Sequence, residues 1–356
     1  MLADFGGIRV ANRISETGTS TSFIKGDILV SNIRPYLNKI WCATFDGGCS
    51  PDVFVYRAKK ELVTSPFLYN ILANNTFITY VMNGAKGVKM PRGDKEQMMK
   101  YPCSIPTLQE QDKISSLLQF IDERIATQRR LIEDLEKLKS SIIEKIYCSP
   151  MENYPRLRIS QKYAENWPIY ELGNICTRIT TKNINNEANQ VLTIAAQYGL
   201  IDQCLFFNKV VASENLSNYY LLKKGDFAYN KSYSGDYIWG AVKRLDKYES
   251  GVLSPLYICF RPNNELADSD YLLFYFESRK WHKEISEIVV EGARNHGLLN
   301  ISVKDFFNMH IPLPSIDEQR ELSTMIRTIQ LKIEHDKTIL QRYEQQRSYF
   351  LKEMFI

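Results

Sequence analysis

The residues of this 356-residue chain best equipped for chemistry are hydrogen-bond donors gathered on short polar stretches. In YNKSYSGDYIWG, residues 229–240, Asn230, Lys231, Ser232, Tyr233 and Ser234 stand together, with Gly235 to bend the chain and Trp239 to return to a core. SNIRPYLNKIW, residues 31–41, offers Asn32, Arg34, Tyr36, Asn38 and Lys39. A second pair of stretches, GAKGVKMPRG and GARNHGLLN, carries Lys86, Lys89 and Arg92 in one and Arg294, Asn295 and His296 in the other. Amide, guanidinium, ammonium and hydroxyl groups of this kind suit base edges and phosphate oxygens, and glycine lets a backbone come close. Each stretch also reads as a solvated turn, and Arg294 also reads as a cap on a helix end.

Groups for bond-breaking chemistry are missing. No GxxxxGK[ST] phosphate loop, GxGxxG fingerprint, HExxH or GxSxG occurs. The four histidines, 282, 296, 310 and 335, have no metal spacing. Pro51-Asp52 resembles the start of a nuclease core, but the Glu-x-Lys that would complete one does not follow. Seven cysteines are odd in number, scattered and without a CxxC pair, so neither a disulfide framework nor a zinc site is indicated. No apolar run is long enough for a membrane span and the start has no signal-peptide order, so the expected address is the cytoplasm. The formal net charge of +4 says little, but residues 1–105 hold 13 basic and 8 acidic residues and are the one basic stretch.

What must position the polar stretches is a repeat. Pro106-Thr-Leu-Gln-Glu-Gln111 aligns with Pro314-Ser-Ile-Asp-Glu-Gln319 at an offset of 208, as does Gly84-Ala-Lys86 with Gly292-Ala-Arg294. Lys25-Gly-Asp27 matches Lys224-Gly-Asp226 at 199, and Ser50-Pro51 matches Ser254-Pro255 at 204. Thr107 with Glu110, and Ser315 with Glu318, spell a capping box behind a proline, so each copy predicts a helix start. The runs that follow lack Pro and Gly. Ile114, Leu118, Ile121, Ile125, Ile132, Leu135, Ile142 and Ile146 recur by threes and fours, with a polar gap at Gln128. Their counterparts, Leu322, Ile326, Ile329, Ile333, Leu340, Tyr343, Phe350 and Met354, are all apolar. Two such stripes predict two helices of about 60 Å that pack on each other as a coiled coil.

The chain therefore divides into a mixed α/β unit at 1–105, a long helix at 106–150, a polar linker at 151–166, a second mixed α/β unit at 167–310 and a second long helix at 311–356. Trp167 precedes Lys224 by 57 residues, whereas 24 residues precede Lys25. The first unit thus lacks about 32 residues, the counterpart of WPIYELGNICTRITTK, and an uncovered apolar surface or strand edge is expected there.

This layout, two α/β units each closing in IP, a cap, EQ and a long helix, with KGD and G-A-[KR] ahead of it, resembles the specificity subunit of type I restriction-modification systems over nearly all 356 residues. The resemblance implies an α+β fold with two target recognition domains joined by an antiparallel pair of long helices related by a pseudo-two-fold axis. It implies a noncatalytic subunit that reads a split double-stranded DNA sequence. It also implies partners: two methyltransferase subunits, which use S-adenosylmethionine, and restriction subunits, which use ATP and Mg2+, with no cofactor or metal in this chain and no membrane. The competing expectation is a protein-interaction scaffold, or an inactive or phase-variable variant whose shortened first domain reads no DNA.

Overall fold

The structure is a computed structural model that describes residues 1–3, 6–9, 20–152, 154–160, 163, 166–195, 197–208, 215–232, 237–289 and 298–355. The chain forms two compact units, Met1–Leu131 with Asp336–Ile356, and Ile132–His335. These units do not follow the boundaries drawn from the sequence, because each long helix is divided between them near its middle.

In the first unit the antiparallel strands Ile40–Cys42, Ile28–Ser31 and Val53–Tyr56 form a sheet in that order, and Thr21–Phe23 pairs with Gly47–Cys49. Helices Ser65–Leu72 and Asn75–Asn83 bury Phe67, Ile71, Phe77 and Val81; Phe77 and Val81 cluster with Ile28, Val30 and Ile40 of that sheet, and Phe67 and Ile71 with Val63 beside the long helices. The second unit repeats the plan with one more strand: Ala241–Arg244, Phe227–Asn230, Ile258–Pro262 and Cys176–Arg178. Helix Ser269–Glu277 supplies Tyr271, Leu272, Phe274 and Tyr275 to its core. Hairpin Leu192–Ala195 with Gly199–Asp202 and the pair Tyr220–Lys223 with Ser250–Leu253 complete it, together with Ile169–Glu171 against His310–Pro312.

The KGD copies are tight turns. Gly26 and Gly225 adopt φ of 92° and 91°, which a side chain would disfavour, and donate their N–H groups to Ala43 O and Leu245 O at 2.8 and 2.9 Å. Asp27 and Asp226 are buried, and each takes an arginine fork. Arg57 Nε and Nη2 donate to Asp27 at 2.8 and 2.7 Å, and Arg261 does the same to Asp226 at 2.6 and 2.8 Å. The fork holds the Asp27 carboxyl below its ordinary range.

The predicted helices are continuous over Leu108–Ile146 and Ile316–Met354. Thr107 and Glu110 make the reciprocal box: Thr107 N–H donates to Glu110 Oε2 at 3.2 Å and Glu110 N–H to Thr107 Oγ1 at 3.4 Å. In the second copy Glu318 N–H donates to Ser315 Oγ at 3.4 Å, while the Glu318 carboxyl is buried and thereby pushed above its ordinary value.

The glutamine of each EQ does more than the box. Gln111 is fully buried, donates to Leu62 O and Pro106 O at 2.9 Å each, and accepts from Thr64 N–H at 2.9 Å. Gln319 repeats this with Leu266 O, Pro314 O and Asp268 N–H at 3.0, 2.8 and 2.7 Å. Thr64 and Asp268 are the N-caps of Ser65–Leu72 and Ser269–Glu277, so each amide staples a long helix to the head of a domain helix.

All fourteen seam positions from Ile114 to Ile142 and from Leu322 to Phe350 are buried or half-buried. Within the first unit the helix halves run antiparallel: Arg347 pairs with Asp122, Arg124 donates to Tyr343 at 3.4 Å, and Gln128 donates to Asp336 O at 3.2 Å. Within the second, Lys139 donates to Gln330 at 2.9 Å, and Ile142 and Ile146 share a cluster with Leu322 and Ile326. Ends are anchored as well. Phe355 packs on Phe67 with ring centroids 5.0 Å apart, and Tyr147 packs on Tyr271 at 4.9 Å.

Replacing Gln319 by alanine leaves a buried N–H and two buried carbonyls without their partner. It should lower stability by about 3 kcal/mol, against about 1 kcal/mol for Ser315→Ala. Urea unfolding followed by tryptophan fluorescence, which reports chiefly on Trp167, Trp239 and Trp281, measures both.

Candidate nucleic-acid interface

In the first unit two of the donor-bearing stretches meet. The strand Ile28–Ser31 runs into residues 32–39, which turn through Arg34 in the left-handed region (φ 52°, ψ 64°), a short 3-10 turn at Pro35–Leu37, and Asn38, also left-handed (φ 50°). Proline presets the turn and asparagine tolerates that conformation, whereas arginine does so only with strain. Backbone bonds weld this loop to the second stretch: Arg34 N–H donates to Pro91 O at 2.8 Å and Gly93 N–H to Asn32 O at 3.2 Å. Asn32 N–H also donates to Asp52 O at 2.8 Å.

The second stretch leaves helix Asn75–Asn83 at Gly84, where any Cβ would run into the Gln97 side chain. Lys86 and Arg92 exchange backbone hydrogen bonds of 2.9 Å each way and close a turn that carries Val88 and Lys89 at its tip. The side chains separate into two groups. Lys86 is held by Asp94 at 3.0 Å, which raises the lysine's pKa and lowers the aspartate's, and Arg92 lies 3.4 Å from Asp52. Arg34 and Lys89 are exposed, and among the described residues neither has an acidic partner. Tyr36 is exposed beside them and Lys39 is half-buried. Asn32 differs from its expected role as a donor facing outward, since its Oδ1 is buried against Gly93.

The second unit makes the same junction at the end of the strand Phe227–Asn230. Leu299 N–H donates to Lys231 O at 2.9 Å and Ser232 bridges to Leu298, as Gly93 and Arg92 do with Asn32 and Ile33. Asn230 accepts from Ser232 N–H at 3.0 Å, an Asx turn that shapes the loop. Lys231 is turned inward: Nζ donates to Ile301 O at 2.8 Å, and desolvation lowers its pKa. Trp239 packs against the core, and its carbonyl accepts from Tyr229 Oη at 2.9 Å. Tyr233, Arg294, Asn295 and His296 lie outside the described residues.

Two sets of positioning residues escaped the sequence reading. Arg57 and Arg261 stand at the offset of 204 already set by Ser50-Pro51 and Ser254-Pro255, and extending that alignment by a few residues would have paired them. The glutamine of EQ was quoted within the repeat, but its fully buried amide leaves no mark in the helical period.

A family model described as the type I restriction modification DNA specificity domain matches residues 9–137 and 164–345. The specificity subunit of the type I restriction enzyme EcoDI from Escherichia coli is 29% identical over 135 residues, covering 37% of this chain and 30% of that protein. The MjaVIII specificity subunit of Methanocaldococcus jannaschii is 22% identical over 313 residues, covering 82% of this chain and 72% of its own length. Among solved structures, the S subunit of a type I restriction-modification system from M. genitalium superposes with a TM-score of 0.57 at 16% identity, over 99% of this chain and 87% of that one. A chain from a study of complex assembly and conformational transition of the type I R-M system gives 0.56 at 18% identity, over 95% and 84%. These likenesses share the fold described above.

Arg34→Gly should stabilise the first unit by about 0.5 to 1 kcal/mol, since glycine relieves the left-handed strain at some entropic cost. Slower hydrogen exchange across residues 32–42 is the measurement; unchanged or faster exchange would mean that Arg34 carries no strain.

Proposed function

The chain belongs to the type I restriction-modification DNA specificity family, and on that footing we propose that its two units each read one half of a split DNA sequence while its long helices dock the enzymatic subunits. It is a specificity subunit, as its relatives are named, and not itself the enzyme. One observation carries the reading role: the same frame, an Asp–Arg clasp and a fused pair of loops, recurs under loops of different wording. A shared frame holds register on the duplex, and different side chains on it select different bases.

In the first unit Arg34, Tyr36, Lys39, Lys86, Lys89 and Arg92 form the reading face, with Asn32 shaping it from within. In the second, Asn230 and Lys231 shape the start of the loop, and Tyr233, Arg294, Asn295 and His296, outside the described residues, are assigned to reading from the sequence alone. Lys89, at a tip, suits a phosphate, and Arg34, rigidly held, suits a guanine edge. The partners are two methyltransferase subunits, which bind S-adenosylmethionine, and restriction subunits, which bind ATP and Mg2+; the complex works on DNA in the cytoplasm. No helix among the described residues is long and apolar enough to cross a membrane. The paired long helices act as the ruler that sets the gap between half-sites.

A second reading, a scaffold whose first unit reads no DNA, draws on the engagement of Lys86 and Arg92 by acids of their own unit. Methylation mapping in cells with and without the gene separates the two: a two-part motif is expected, and no gene-dependent methylation supports the scaffold. Inserting seven residues after Gln128 and seven after Asp336 keeps each seam in phase and adds about 10 Å. The gap in the methylated motif should then grow by about 3 base pairs with both half-sites unchanged.

For DNA binding by the assembled methyltransferase, Lys89→Ala should weaken all sequences alike and reduce the slope of log affinity against log salt by about 1. Arg34→Ala should cost about 1 to 3 kcal/mol on the preferred sequence and relax one position. Titrations at several salt concentrations on preferred and altered duplexes read both.

A further inference from the structure

Pro51-Asp52 stands in a turn that both units share. Val53 N–H donates to Ser50 O at 2.9 Å and Tyr257 N–H to Ser254 O at 3.2 Å, so Ser50-Pro51-Asp52 and Ser254-Pro255-Leu256 fold alike, with proline presetting the bend. In each copy the serine hydroxyl accepts from the third residue's N–H, Asp52 at 3.3 Å and Leu256 at 3.4 Å. Both turns lie beside a reading loop. Ser31 pairs with Val53, and Asn32 N–H donates to Asp52 O at 2.8 Å; Tyr229 pairs with Ile258, a register that sets Lys231 opposite Leu256. The frame is the same and the third side chain differs: a carboxylate in one copy, and in the other an apolar group on a residue 81% exposed.

Asp52 and Arg92 approach to 3.4 Å at the surface of the first unit, with side chains 44% and 56% exposed. An exposed pair of this kind contributes little to stability. The Asp27–Arg57 clasp, with its buried carboxylate, is the structural opposite. Arg92 is placed instead by its backbone, which is bonded both ways to Lys86 and bridges to Ile33. Asp52 and Arg92 thus stand side by side, acceptor next to donor, on a face that also carries Arg34, Lys39, Lys86 and Lys89. A carboxylate on such a face repels phosphate. Among the groups that base edges show in the major groove, only the amino groups of cytosine and adenine can donate to it.

We propose that Asp52 is a specificity-determining residue: together with Arg92 it reads one G·C pair through the major groove, its carboxylate accepting from cytosine N4 while Arg92 donates to guanine O6 and N7. The edge of a G·C pair shows a donor beside two adjacent acceptors, and the couple shows an acceptor beside a fork of donors, so both contacts form at once. An A·T edge separates its two acceptors by the adenine amino group, and the fork does not fit it. Leu256, at the same place in the second unit, has nothing to offer an amino donor, so the contact belongs to the half-site of the first unit. The ion pair then holds Arg92 ready for guanine rather than withdrawing it from DNA. This assignment rests on the reading role proposed above and adds which base pair the turn selects.

The test is titration of the assembled methyltransferase against duplexes that carry each base pair in turn at every position of the two-part motif, with Asp52→Asn and Arg92→Lys beside the wild type. The wild type should favour G·C at one position of one half-site by at least about tenfold. Asp52→Asn, whose amide donates as well as accepts, should cut that preference to below about threefold at this position alone. Affinity for unrelated duplex should rise, because a charge repelled by phosphate is gone; a residue with only a structural role would lower affinity for every duplex. Arg92→Lys, which keeps the charge and loses the fork, should relax the same position. Relaxation in both half-sites, or relaxation of different base pairs by the two substitutions, would overturn the assignment. A wild-type motif that Asp52→Asn leaves unchanged removes this assignment alone, whereas a wild-type complex with no two-part motif removes the reading role with it.

Discussion

At the head of each long helix a glutamine amide is withdrawn from water and has all its hydrogen-bonding groups engaged with backbone. Gln111 and Gln319 each bridge three backbone groups: the carbonyl of the proline just ahead of the helix, a carbonyl in the loop leading to the domain helix, and the N–H of that helix's N-cap. An amide side chain is short and planar, so these bonds can be made together in one orientation only. Any other orientation would strand buried polar groups at about 1 to 3 kcal/mol each. The direction in which the long helix leaves is therefore set by the position of the domain helix.

From that junction the frame extends to the loops. The domain helix packs under the sheet, and the central strand of the sheet begins at the KGD turn, where a buried aspartate receives an arginine fork from the next strand. A bidentate fork fixes distance and plane together, so the central strand and its neighbour are locked near one end and the loop emerges at the other. The loop is then tied by backbone bonds to the turn that precedes the terminal strand. None of these ties uses a side chain at the loop tip. The tips are free to differ between copies, as Arg34, Tyr36 and Lys89 differ from their counterparts. The left-handed Arg34 marks where the frame imposes its geometry on a residue that does not favour it.

Much of this was legible in the sequence because it is periodic or repeated. The helices follow from a stripe near period 3.5 without Pro or Gly, and every residue of the stripe is buried or half-buried, though it passed over Ile143 and Leu351, which are buried beside Ile142 and Phe350. Gln128 broke the stripe, and its amide reaches the backbone of Asp336, its own counterpart in the repeat. Side-chain direction was harder to read. Lys231 looked like an outward donor, yet desolvation together with the Ile301 carbonyl turns it inward, and Asn32 is likewise turned in against Gly93. Composition records that a residue can donate a hydrogen bond; the tertiary frame decides whether it faces solvent. Arg57 and Arg261 belong to the same class, since a charged residue on a strand looks solvated until the buried aspartate opposite is known.

The two units seal the head of the domain helix with different partners. Phe67 and Tyr271 stand at matching places in the repeat, at the offset of 204. In the second unit Tyr271 is covered on two sides, by Tyr147 at 4.9 Å and by Trp167 at 6.2 Å, the latter at the head of the strand segment 167–178. In the first unit Phe67 remains 1% exposed, because Phe355, the counterpart of Tyr147, stacks on it at 5.0 Å and Val63 and Ile71 close in beside it. Asn74, which caps Asn75–Asn83 by accepting from Thr76 N–H at 3.1 Å, also donates from Nδ2 to the Leu351 carbonyl at 2.8 Å and ties the end of the long helix to it. The long helix thus seals the deep core, and the strand segment closes the outer side of the sheet.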